Sequence, residues 1–217
     1  MRTGLRGRML DGSETKTQAE EAEMIVAGQT VENPVTGERL IFHETARETG
    51  GEYVRFEALI APGGTLASAH LHPYQSERFE LVSGTLTMKV GSRKLEAKPG
   101  DVVVVEPGTA HNFWNKTDEP VRMLVELRPA LTVESLLETM YGLAADGKTN
   151  RWGMPNPFRL AVIADAHFDV VRVPVVPGWL QRAALAVGAP VGRLVGYRPV
   201  YRPTTPVRVP RPAPAAV

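Results

Sequence analysis

The chain has 217 residues, 43% of them apolar and 23% charged, with 25 basic against 24 acidic side chains. That length fits one domain with an appendage, the apolar share excludes wholesale disorder, and the even charge argues against a nucleic-acid partner. Cysteine is absent, which excludes disulfides, thiolate metal sites and cysteine nucleophiles and leaves His, Asp and Glu as metal ligands.

Residues 1–23 are polar and charged and are expected to be a flexible segment. Arg2, Arg6 and Arg8 stand in the first ten residues without an apolar run, so no signal peptide is expected and the predicted location is cytoplasmic. The segment 24–35 leads into the first strand and offers itself for exchange between copies, from which a homodimer is expected.

From 24 to 130 the pattern is strand after strand. Short runs rich in β-branched or alternating residues cover 38–45, 52–61, 77–83, 85–90, 94–97, 102–106 and 121–127. Turn chemistry separates them, among it Pro62-Gly63-Gly64, Gly91-Ser92, Pro99-Gly100-Asp101 and Pro107-Gly108. Such spacing predicts an all-β sandwich or barrel. After Pro129 the period changes. A helix is expected from a Thr132 cap to about residue 145, a second behind Asn156-Pro157 to about 166, and a third over 178–187. Residues 131–190 therefore read as a helical appendage, and 191–217 as a Pro/Arg-rich, disordered tail; removal of residues 198–217 should leave stability and metal content unchanged.

Charge is divided unevenly along the chain. Residues 1–130 carry 15 basic and 19 acidic side chains, and residues 131–217 carry 10 and 5. No acid follows Asp169, while Arg172, Arg182, Arg193, Arg198, Arg202, Arg208 and Arg211 do. The bland reading is a solubilising tail. No bilayer span is expected, and this basic region is the sole feature that points toward a membrane surface or an acidic partner.

The informative stretch runs from Gly64 through His70, His72 and Glu77 to Gly84. A strand alternates sides, so His70 and His72 project from one face. Glu77 opens the next strand after a turn, and His111 begins another behind Pro107-Gly108. Three imidazoles and a carboxylate suit one divalent transition metal, Fe, Mn, Ni, Cu or Zn, and affinity order alone does not choose among them. Counting by twos turns Phe79, Leu81 and Ser83 inward from Glu77, and Phe113 and Asn115 inward from His111. Val54, Phe56, Ala58 and Ile60 share an inner face, as do Val121, Met123, Val125 and Leu127. Phe79, Leu81, Phe113, Met123 and Val125 are the candidate pocket residues, and most of this set also serves simply to fill a barrel. Tyr74 and Gln75, in the turn between ligands, are candidates to reach the site, Tyr74 as acid or base. His43 and His167 lack partner spacing and read as structural.

The spacing Gly64, His70, His72, Glu77, Gly84 resembles the first motif of the cupin superfamily, and Gly100 through Pro107-Gly108 to His111 and Asn115 resembles the second. Glu106 stands where that family usually has a proline. The resemblance covers residues 36–128 and is to a small single-domain cupin. It implies a jelly-roll, or double-stranded β-helix, barrel holding a metal on His70, His72, Glu77 and His111, with open positions for water, substrate or oxygen. Barrel and metal alone do not name a reaction; the first expectation is a metal-dependent, dioxygenase-like enzyme, and the apolar inward faces suit a small, largely apolar organic molecule as its substrate. An isomerase or lyase and a non-catalytic ligand-binding or sensing module are the alternatives.

Overall fold

A computed structural model describes residues 25–65 and 68–204, together with the backbone of 208–209. The expected flexible segment 1–23 lies outside the described residues. Among the described residues, ten strands and three helices follow one another. The strands are β1 (Thr30–Asn33), β2 (Glu38–Glu44), β3 (Val54–Ile60), β4 (Ser76–Ser83), β5 (Leu86–Val90), β6 (Arg93–Ala97), β7 (Val102–Val105), β8 (His111–Trp114), β9 (Val121–Arg128) and β10 (Arg208–Val209). The helices are α1 (Val133–Ala145), α2 (Pro157–Ala166) and α3 (Gly178–Leu194).

Antiparallel pairing joins seven strands in the order β10-β1-β2-β3-β9-β4-β7 and three in the order β6-β5-β8. The second sheet is extended by the segment before β4. His70 and His111 exchange both backbone hydrogen bonds, at 3.1 and 2.8 Å, and Thr65 bridges Trp114. This two-layered antiparallel arrangement is the expected jelly-roll, with helices at its C-terminal end.

Alternation accounts for the core. Val54, Phe56, Ala58 and Ile60 on β3 and Val121, Met123, Val125 and Leu127 on β9 are all buried, as predicted. Side chains between them face out and form an ion-pair lattice, with Arg55 bonded to Glu44 and Glu126, and Arg122 gripping Glu57 at 2.6 and 2.8 Å. Ser83 departs from the parity expectation and is exposed, because the β4–β9 register slips between Leu81 and Ser83 and the alternation shifts there. Gly84 follows the slip with a positive φ, and a Cβ there would lie 2.8 Å from the Pro120 carbonyl oxygen.

α1 packs on the barrel through Val133 and Tyr141, with Leu136, Leu137 and Met140 partly buried against the core. Thr132 stands at its cap position without a capping bond; its hydroxyl meets His167 Nδ1 at 2.9 Å instead. Asn156 caps α2 as expected, accepting from the Arg159 amide, with Pro157 in the first turn. α3 runs past the expected end at 187 to Leu194 and contains Pro190. Its inner face explains the extension: Gly192 packs so closely on α2 that a Cβ would sit 2.5 Å from the Phe158 carbonyl oxygen.

The stretch read as a disordered tail differs in three places. Residues 191–194 finish α3, and residues 201–204 are bound to α1. Asp146 accepts from the Tyr201 hydroxyl at 2.5 Å and from the Thr204 amide at 2.8 Å, and Pro203 lies against Gly142. β10 pairs with β1, Thr30 opposite Val209. Proline density forbids helix, but it leaves the non-proline positions free to bond. β1 is thus paired with β2 along its length and with β10 at Thr30 and Val31 within its own chain.

Candidate metal centre

The four residues singled out by spacing come together. One ligating atom from each of His70, His72, Glu77 and His111 lies within 4.8 Å of the others. His70 and His72 project from one face of the segment before β4, His111 opens β8 directly opposite His70, and Glu77 reaches across from β4 in the larger sheet. The cluster therefore joins the two layers of the barrel. The turn that delivers His111 is closed by Thr109 donating to the Glu106 carbonyl, and Gly108 N–H donates to the His72 carbonyl at 2.7 Å. Proline is not needed at 106 for that geometry.

Hydrogen bonding fixes what the imidazoles present. His72 Nδ1 lies 2.6 Å from the Val170 carbonyl oxygen, His70 Nδ1 3.3 Å from Ser68 O, and His111 Nδ1 3.2 Å from Thr109 O. A carbonyl only accepts, so each Nδ1 carries the proton and each neutral ring turns a bare Nε2 lone pair inward. His70 Nε2 and His72 Nε2 face each other at 3.1 Å, and the Glu77 carboxylate meets His111 Nε2 at 2.8 Å and His72 Nε2 at 3.3 Å. Glu77 Oε2 and His111 Nε2 are both buried and neither has a hydrogen-bond partner. Four acceptors converge on one point with no donor among them. That is the donor set of a hard-to-borderline divalent cation, and the residues fit one.

Charge acts on the metal-free cluster as well. Burial, reinforced by the two neighbouring imidazoles, pushes His70 down to about 3, so it is neutral at physiological pH. Burial also acts against charge on His72 and Glu77. Their mutual contact outweighs it, raising His72 and, with the His111 contact, holding Glu77 well below the carboxylate range.

Around the cluster the five pocket candidates are all core residues. Phe79, Leu81, Phe113, Met123 and Val125 are buried, and Phe79 stands edge-on to His111 with ring centroids 6.1 Å apart. Tyr74 is 58% exposed, with the Arg172 guanidinium 5.5 Å from its ring, and is not brought to the four ligands. Gln75 is a buried strut, its amide nitrogen donating to the carbonyls of Pro129 and Ala130. His43 lies apart, 3.7 Å from Glu57, and His167 is buried against Thr132, where burial pushes it down to about 4. A groove of about 420 Å3 over Arg55, Arg78, Glu80 and Glu126 sits on the outer face of the large sheet, opposite the cluster.

Sequence reasoning missed one contributor. The segment after α2 pairs with the ligand strand, Leu71 and Arg172 exchanging backbone hydrogen bonds at 3.0 and 2.9 Å, and this brings Val170 O onto His72. A pairing across about a hundred residues leaves no local signal in composition or period.

Residues 56–126 match the family model of the cupin domain, and the two antiparallel sheets have the double-stranded β-helix arrangement of that fold. The chain's similarity to curated proteins reaches beyond the barrel. An oxidoreductase of Arthrobotrys oligospora is 26% identical over 78% of this chain and 70% of its own length. A Penicillium expansum protein named "Probable oxidoreductase patJ" is 25% identical over 63% of this chain and 45% of its own length. Among solved structures, an RmlC-like cupin from Shewanella frigidimarina is 18% identical, covers 50% of this chain and 92% of its own, and superposes with a TM-score of 0.41.

Proposed function

We propose that the chain is a metal-dependent oxidoreductase that acts on a small, largely apolar organic molecule. The observation that carries the proposal is the convergence of three bare Nε2 lone pairs and the buried Glu77 carboxylate, all aimed at one point by Nδ1 contacts to backbone carbonyls. His70, His72, Glu77 and His111 would hold the ion. When bound, the ion supplies Lewis-acid or redox chemistry at positions the four ligands leave open. The chain's own residues do the rest. Val170 O and Thr109 O keep His72 and His111 in the ligating tautomer, so no proton stands between ring and ion. Phe79 and Phe113 exclude water from the inner side, and their lack of charge disfavours phosphorylated or dicarboxylate substrates. Tyr74 and Arg172 form the rim a substrate passes. The names of the two curated relatives support the redox class over the isomerase.

Oxygen consumption by the Fe(II)-loaded protein, followed across a panel of phenolic and enolic compounds, tests this. Substrate-dependent uptake that His111→Ala abolishes is the expected result. Turnover without oxygen uptake would place the chain among the isomerases and lyases instead, and tight binding without turnover would make it a sensing module.

A further inference from the structure

The basic C-terminal region remains outside that account, and α3 gives it a shape. On its inner face Ala189 and Gly192 are buried against α2. Its outer face is uncovered by the described residues. Trp179 is 73% exposed, Val187 70% and Leu194 86%, and Leu180 and Val191 stand beside them. At 100° per residue, Trp179, Leu180, Ala183, Ala184, Ala186, Val187, Pro190, Val191 and Leu194 fill an arc of about 160° that contains no polar side chain. Apolar exposure continues before the helix at Val173 and Val175 and after it at Val195. A patch of that extent on a chain that keeps its barrel core well covered marks a surface that meets something.

Charge says what it meets. Arg182 and Arg193 border one side of the arc, both held by Asp165, at 3.7 and 2.7 Å. Arg198 follows the helix, and no acid occurs anywhere after Asp169. Two copies packed through this face would bring Arg182, Arg193 and Arg198 of each chain toward those of the other, with Asp165 the one acid paired at that border. An anionic lipid surface takes both features at once: the apolar arc enters the acyl boundary while the arginines stay at headgroup level, with Trp179 at the junction. No helix among the described residues is long and apolar enough to cross a membrane, so the geometry is that of a helix lying on one. We infer that the α2–α3 hairpin docks the protein on anionic membranes through the outer face of α3. The inference is independent of the metal centre.

Cosedimentation of the full-length protein tests it, with vesicles of phosphatidylcholine alone and of equal parts phosphatidylcholine and phosphatidylglycerol. The protein should pellet with the anionic vesicles, at least about tenfold more strongly than with the neutral ones, since each arginine near the surface contributes about fivefold. The double variant Trp179→Gln, Leu194→Gln should lose about tenfold of that binding while its circular-dichroism melting curve stays that of the wild type. Three results overturn the inference: no partitioning into anionic vesicles, partitioning that the double variant leaves unchanged, or a dimeric mass by light scattering that the double variant converts to a monomer without any vesicle binding. The last would assign the face to a second copy.

Discussion

At the scale of single residues, two buried carboxylates are arranged to opposite ends. Glu77 stands against the Nε2 atoms of His72 and His111, and with those rings neutral its carboxylate has no donor facing it. Glu77→Gln places an amide donor against a bare Nε2, so at pH 8 the metal-free variant should melt no lower than the metal-free wild type, while ion binding is lost. A fall of several degrees would show that the carboxylate is a structural bond and not a ligand in waiting. Glu38, at the start of β2, is buried beneath α1, accepts from the Thr36 hydroxyl at 2.8 Å, and is raised by burial from 4.5 to about 7. The folded state keeps this proton to about pH 7, whereas the unfolded chain releases it near 4.5. Its contribution is therefore complete below pH 4.5 and disappears as pH rises through 7, a span worth up to about 3 kcal/mol. Melting curves taken with chelator present should show wild-type stability falling across that window relative to Glu38→Gln, and parallel curves would contradict the assignment.

At the scale of elements, the helical region is part of the site and not an ornament. The strand-like segment through Arg172 and the cap residues of α1 and α2 fix the frame from which Val170 O reaches His72. The tail then clamps α1 through Tyr201, Pro203 and Thr204. Removing residues 198–217 should cost about 2 kcal/mol, from lost hydrogen bonds and packing, and lower Tm by about 4–8 °C. An unchanged Tm would restore the simple reading of the tail as solvated chain. Gly192→Ala should be harder on the hairpin than its size suggests, because the methyl group meets backbone and not a movable side chain. A loss of about 1–3 kcal/mol is expected, read as early melting of helical signal ahead of the barrel.

At the scale of the whole molecule, what was legible follows one rule: features set by local alternation were readable, and features set by distant pairing were not. His70, His72 and Glu77 were found because a strand places alternate residues on one face, and the inner faces of β3 and β9 followed for the same reason. Ser83 was misplaced because a register slip is decided by the partner strand, not by the strand's own pattern. α3 runs past the expected end at 187 because Gly188 and Gly192 let it pack closely on α2, a contact its own sequence pattern does not show. The expected dimer is a matter for a mass in solution: within one chain β1 pairs with β2 along its length and with β10 at Thr30 and Val31. Everything in the functional account passes through the four converging ligands, and one measurement addresses them directly: titration of the metal-free protein with Fe(II) under anaerobic conditions, with ion stoichiometry and affinity read for wild type, His72→Ala, His111→Ala and His43→Ala. The account predicts one ion per chain, an affinity loss of at least about tenfold in His72→Ala and His111→Ala with the fold retained by circular dichroism, and no loss in His43→Ala. Absence of binding by the wild type, or equal weakening by His43→Ala, would contradict it.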